Sequence, residues 1–149
     1  MKSQKIYTPK GFTLIEILIS VAITTLLLGL ALFASFDFYD SYIFESEINN
    51  VISLLEKTRA EAMNNIAGAP TGLHFGTEEY ILFRGESFIS GDALNENFPK
   101  NPNINIAIPE SDIIFSQLSG DIKNQTLITV TYKKYQRFIT LNNEGGINW

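Results

Sequence analysis

Glu16 is the residue that most constrains the chemistry of this chain, because it is the one charge in a long apolar run. The run covers residues 12–36 and otherwise contains no Asp, Glu, Lys or Arg. An ionised carboxylate at the centre of a lipid layer costs on the order of 3 kcal/mol. An opposite charge compensates a buried one. We therefore expect Glu16 to be functional and to have a cationic partner.

The apolar run predicts a helix that crosses a membrane once. As a helix, 25 residues extend for roughly 37 Å, which exceeds a hydrocarbon core of about 30 Å. Lys2, Lys5 and Lys10 are the only charges before the run, and acidic residues follow it. The positive-inside rule then predicts a cytoplasmic N-terminus and an extracytoplasmic body.

Two simpler interpretations of the run compete with a specialised one. A secretory signal peptide has a shorter apolar core, about 7–15 residues, and ends at a small-x-small cleavage site. This run is longer, and no A-x-A lies at its end. A simple signal anchor accounts for the length and the orientation of the run. It gives no reason for the carboxylate of Glu16.

The segment KGFTLIE at residues 10–16 resembles the prepilin processing motif of type IV pilins and type II secretion pseudopilins. The shared features are a basic leader, Gly11, the aromatic Phe12, Glu16 five residues after the cut, and an apolar span. A motif whose context also matches is far more specific than the string alone.

The resemblance implies that a prepilin peptidase cuts between Gly11 and Phe12 and methylates the new amine of Phe12. It also implies that Glu16 of one filament subunit pairs with the Phe12 amine of its neighbour. The implied partners are the peptidase, other pilin or pseudopilin subunits, an inner-membrane assembly platform and membrane lipid. The chain would be the substrate of an enzyme and not an enzyme, and it would need no cofactor.

The pattern after the apolar run predicts that the helix continues as an amphipathic half over residues 37–67. Residues 37–66 contain no Gly or Pro, and Gly68 and Pro70 are expected to end the helix. Apolar residues recur three and four positions apart, which indicates one buried helix face. The predicted face consists of Phe44, Ile48, Val51, Ile52, Leu55, Ala62, Met63 and Ile66.

From residue 68 onward the pattern is typical of short strands, so we predict an α+β fold. A long N-terminal helix would pack on a small antiparallel β domain at residues 68–149, after a leader at 1–11 and a membrane half at 12–36. Residues 85–103 are rich in Gly, Asn and Pro and predict a long loop. Alternation predicts strands at 72–76, 79–84, 104–108, 112–118, 125–132 and 135–141, with a short edge near Ile147.

A second resemblance concerns residues 54–65, LLEKTRAEAMNN, which are similar to the LxxARxEAxxRN signature of the pseudopilin H and fimbrial T group (GspH/FimT-like). In that group a strand pair, a variable loop and a C-terminal hairpin follow. Residues 72–85 and 139–146 fit the strand pair and the hairpin. Gly146 departs from the pattern, because Arg is common there.

Candidate catalytic and metal-binding residues are few. His74 is the single histidine and has no second ligand at a ligating spacing, so a structural role is expected. Glu110 and Asp112 lie two residues apart, and calcium binding is a weak alternative for them. The sequence predicts no metal site and shows no catalytic constellation, which argues against a membrane-tethered enzyme.

A basic cluster raises the alternative of DNA uptake. Lys133, Lys134 and Arg137 lie beside Tyr132 and Tyr135, and such a mixture can bind phosphates and stack on bases. Without the three leader lysines, however, eight Lys and Arg stand against 16 Asp and Glu, a net charge of −8. An acidic body disfavours nucleic-acid binding, so a solvated hairpin turn is the preferred interpretation.

The sequence therefore predicts a minor pilin or pseudopilin, located in the bacterial inner membrane and then in a pilus or pseudopilus. The alternatives are a DNA-binding minor pilin and, more remotely, a membrane-tethered enzyme. The sequence does not distinguish a pilus from a secretion or an uptake machine.

Overall fold

The structure of the protein is a computed structural model that describes residues 11–149, apart from the side chains of residues 31–37. It contains one long helix, α1 (Leu14–Met63), followed by eight strands. The chain divides into two compact units, Met1–Asp40 and Ser41–Trp149.

In the first unit, the described apolar side chains of α1 are exposed. They include Leu14, Ile15, Leu18 and Leu26, each more than half exposed. Among the described residues, no helix has the length and hydropathy needed to cross a membrane. The membrane-spanning part of the predicted fold is therefore not confirmed, whereas its helical part is.

In the second unit, α1 ends at Met63 and not at Gly68. Asn65 is the first residue in the left-handed region, with φ of 53°, and its N–H donates to Ala62 O at 3.1 Å. Asn tolerates this conformation because its short polar side chain bonds locally. Gly68 takes a second left-handed position, φ 66°, within the turn that leads to the sheets.

The strands form two four-stranded sheets in which every pairing is antiparallel. The first sheet has the order β3-β2-β1-β5 and the second has the order β4-β6-β7-β8. Their bounds are β1 Thr71–Phe75, β2 Glu79–Arg84, β3 Glu96–Pro99, β4 Asn105–Ala107, β5 Asp112–Phe115, β6 Thr126–Tyr132, β7 Tyr135–Leu141 and β8 Ile147–Asn148.

The predicted α+β class with antiparallel strands is confirmed, and strands 79–84 and 135–141 have their predicted bounds. The long loop predicted at 85–103 is wrong in part, because β3 lies within it and pairs with β2. Pro99 ends this strand at a sheet edge, where a missing N–H is tolerated. Its pairing partner, not its own composition, makes this segment a strand.

One core joins α1 to both sheets of the second unit. The buried face of α1 meets inward residues of each sheet, including Leu73 and Phe115 in the first and Val130 and Ile139 in the second. Six of the eight predicted helix-face residues are buried, but Met63 and Ile66 are 45% and 66% exposed, so their assignment was wrong. Met63 is the last residue of the helix, and Ile66 lies beyond its end.

Arg59 ties the helix to the C-terminal turn of the second sheet. Its Nη2 donates to Glu144 O at 2.8 Å and its Nε to Gly120 O at 3.4 Å. Gly145, at φ 71°, passes so close that a Cβ there would lie 2.0 Å from Gly120 O. Arg59, which lies within residues 54–65, therefore has a structural role. It binds the carbonyls of Gly120 and Glu144, and these two can approach each other because residue 145 is a glycine.

A four-residue charge network joins α1 to β2 and β3. Arg84 Nη2 donates to Glu61 Oε2 at 2.7 Å and to Glu96 Oε1 at 2.5 Å, while Lys57 Nζ lies 2.6 Å from Glu96 Oε2. Arg84 Nη1 also donates to Leu94 O at 2.6 Å. The network therefore fixes the segment before β3 as well as the strand.

The network predicts an acid-sensitive contribution to stability. Hydrogen bonds from Lys57, and then from Arg84, lower the pKa of Glu96. A carboxyl whose pKa is lower in the folded state stabilises the fold above its ordinary pKa, about 4.3, and loses that contribution as pH falls through the folded value. We expect the urea midpoint of the wild type to fall more between about pH 5 and pH 3 than that of Glu96→Gln. Equal acid sensitivity of the two proteins would contradict this role for Glu96.

Candidate functional site

The predicted processing site lies immediately before α1. Gly11, Phe12 and Thr13 precede the first helical residue, Leu14, and Phe12 is 82% exposed. Among the described residues, a Cβ at Gly11 would meet nothing within 4 Å. The rest of the predicted leader, residues 1–10, lies outside the described residues.

Thr13 and Glu16 form a capping box at the start of the helix. The Thr13 N–H and hydroxyl each donate to Glu16 Oε2 at 3.0 Å, and the Glu16 N–H donates to Thr13 Oγ1 at 3.4 Å. A capping box satisfies two backbone donors that the first helical turn leaves without partners. A carboxylate in the first turn is also favoured by the helix dipole.

The local sequence also carries a signal for this second role of Glu16, which was not among the predictions. The pattern Thr-x-x-Glu before an apolar run is a known start signal for a helix. Glu16 therefore stabilises the start of its own helix, in addition to any pairing with a second chain. An experiment on Glu16 has to separate the two.

The three hydroxyl side chains among residues 14–30 of α1 are hydrogen-bonded within the helix. The hydroxyls of Ser20, Thr24 and Thr25 each donate to the carbonyl four residues earlier, at 2.7–2.8 Å. Such bonds remove the cost of an unpaired hydroxyl in an apolar medium. Glu16 is then the one ionisable side chain among residues 12–30.

The predicted basic cluster is brought together at one turn but is partly neutralised. Lys133 and Lys134 form the turn between β6 and β7, and their amines lie 5.2 and 5.4 Å from the ring centres of Tyr132 and Tyr135. Arg137 Nη2 donates to Glu45 Oε1 at 2.6 Å. The charge of Arg137 is thus balanced by Glu45 of α1, which weakens the case for phosphate binding.

His74 has partners that the sequence analysis did not identify. Its Nδ1 lies 2.6 Å from Asp112 Oδ1, on the neighbouring strand β5, and its ring stacks on Phe88 with centres 4.0 Å apart. The contacts agree with the structural role expected for this histidine. They hold the segment after β2 against the outward side of the first sheet.

Asp112 and Glu110 line a half-open cleft of about 320 Å³, together with Glu86 and Lys123. Across the part of the chain that the structure describes, no three His, Cys, Asp or Glu side chains are placed to hold a metal ion. The carboxylate of Asp112 is paired with His74. We assign no chemistry to the cleft.

Comparison with known proteins agrees with the N-terminal site. A protein-family model described as the prokaryotic N-terminal methylation motif matches residues 8–32. No curated protein and no solved structure matches the chain. The matched segment contains Gly11, Phe12, Thr13 and Glu16, and it suggests a structural protein and not an enzyme. The motif supports the type IV pilin superfamily and indicates a type IV pilin-like protein that is processed by prepilin peptidase.

Proposed function

We propose that this protein is a minor pilin or pseudopilin, a subunit that enters a type IV pilus or a type II secretion pseudopilus. The observation that carries the proposal is the N-terminal segment. Gly11 and Phe12 lie exposed before a helix whose first turn holds Glu16, within the matched methylation motif. The resemblance of residues 54–65 to the pseudopilin H and fimbrial T group favours a minor subunit.

In this proposal residues 12–36 anchor the protein in the inner membrane as a single span, with the N-terminus in the cytoplasm. The support is the 25-residue apolar sequence, the lysines before it and the acidic residues after it. The exposed apolar side chains of residues 14–28 also need an apolar environment or neighbouring helices. Lipid would provide the first, and a filament of other subunits the second.

Glu16 has an assembly role in the same proposal. Cleavage after Gly11 creates an amine on Phe12, and methylation leaves that amine positively charged. In an apolar filament interior, the amine of one subunit and the Glu16 carboxylate of the next would each be costly alone and compensated as a pair. The partners are thus prepilin peptidase, further subunits and the inner-membrane assembly platform.

The first test is processing at the proposed site. Full-length protein expressed with a prepilin peptidase should lose residues 1–11, as read by mass analysis of the N-terminus. Gly11→Val should remain intact in the same cells, because a branched side chain enters the space the peptidase leaves for glycine. A mature N-terminus elsewhere, or an intact wild type beside an active peptidase, would refute the assignment.

A further inference from the structure

The outward face of the second sheet is a surface that neither the core nor the N-terminal site uses. Along β6 and β7 the residues alternate, with Ile128, Val130, Ile139 and Leu141 in the core. The alternate positions point away from it. They are Leu127, Thr129, Thr131, Gln136, Phe138 and Thr140, and we call them the outer face.

The outer face carries no charge. The outward positions of the edge strands extend it with Asn105, Ala107 and Asn148, which are also uncharged. The body around it is strongly acidic, with 16 Asp and Glu in the chain. At the same time Leu127 and Phe138 are 46% and 51% exposed, so the face combines apolar groups with neutral hydroxyls and amides.

The absence of charge favours one kind of occupant. In a two-fold symmetric contact, a residue near the axis meets its own copy, so a charge there would face the same charge. Like charges placed opposite each other are destabilising. A partner of opposite charge, or a nucleic acid, would instead select a charged face. We propose that the outer face is a symmetric contact with a second copy of this chain.

The area of the outer face is too small for a stable complex between free copies, so the contact requires a high local concentration of the chain. Four strands spaced about 4.8 Å apart, with roughly five residues of 3.3 Å each, cover on the order of 300 Å² per copy. A stable complex buries about 800 Å² per partner. Two copies therefore need to be held at high local concentration, which the proposed membrane anchor would provide. This step rests on the proposed function.

Thr129 marks the centre of the face. It lies on one of the two inner strands, and its register partner on the other is Phe138. Sheets that pack face to face keep their strands within about 30° of each other and lie about 10 Å apart. A cysteine at position 129 would then face its own copy across the axis at cross-linking distance.

The test uses full-length protein in membranes and a short bismaleimide cross-linker. The chain contains no cysteine, so Thr129→Cys reports only its own position. Ser87→Cys, an exposed position outside the outer face, is the matched control for random collision. We expect several-fold more covalent dimer from Thr129→Cys than from Ser87→Cys. Equal yields would overturn the proposal.

A second pair of variants tests the chemistry of the contact. In the Thr129→Cys protein, Phe138→Lys should reduce the dimer to the Ser87→Cys level, because each lysine would face its copy. Phe138→Leu should keep most of the dimer. Equal proteolytic resistance of the two would show that both fold, and unchanged dimer with Phe138→Lys would overturn the proposal.

Leader processing, measured on the same samples, separates the two proposals. In membranes from cells with an active prepilin peptidase, dimer at Thr129 without removal of residues 1–11 would support the contact and refute the pilin assignment. Correct processing with no excess of dimer over Ser87→Cys would refute the contact alone.

Discussion

Glu16→Leu should be cleaved and inserted normally yet be almost absent from filaments. The substitution removes a carboxylate from an apolar segment, so insertion becomes easier. In the proposed filament it leaves the Phe12 amine of a neighbouring subunit without its counter-charge. Breaking a buried ion pair in this way costs about 3 kcal/mol or more, over 100-fold in association. Filament and membrane fractions, compared with the wild type by immunoblot, measure the effect.

The capping box calls for a control that keeps the cap and removes the charge. Glu16→Gln offers such a control, since Gln also serves at this position of a capping box and can accept from Thr13. Loss of a cap costs only about 1 kcal/mol. We expect Glu16→Gln to be as defective in assembly as Glu16→Leu. Normal assembly of Glu16→Gln would mean that Glu16 acts through the helix start and not through an ion pair.

Arg84→Ala should be the most destabilising single change in the charge network. The Arg84 side chain is 16% exposed, and its removal leaves the 11% exposed Glu61 with Lys57, at 3.8 Å, as its remaining partner among the described residues. Leaving a largely buried charge without its partner costs about 3 kcal/mol. Urea unfolding of the purified protein, followed by near-ultraviolet circular dichroism, should show a shift of that size in the free energy of unfolding.

Lys57→Ala is the matched control for this change. Lys57 contacts the same two glutamates, but its side chain is 41% exposed, and exposed ion pairs contribute less than about 1 kcal/mol. Arg84→Lys should fall between the two, because it keeps the charge and loses the fork that bonds two carboxylates. If Arg84→Ala lowered the free energy of unfolding no more than Lys57→Ala, the burial of Arg84 would not explain the stabilising effect of the network.

Features that depend on local sequence were predictable. The processing motif at residues 10–16, the continuation of the helix beyond the apolar run, and the strands 79–84 and 135–141 follow from side-chain type and periodicity. Each of these features depends on residues that are close to one another in the sequence. The Thr13–Glu16 cap was equally local and could have been found by the same means.

Features that join distant parts of the chain were decided by the tertiary structure. Arg137 reaches Glu45 across 92 positions and His74 reaches Asp112 across 38, and no periodicity encodes such distances. The strand β3 exists because β2 offers an edge, although its own residues are typical of a loop. Periodicity predicts which side of a strand is buried, but only strand pairing decides which strands share a sheet. The sequence by itself therefore determined the N-terminal motif and the α+β class, whereas the tertiary structure decided the two-sheet arrangement and the uncharged face that it presents.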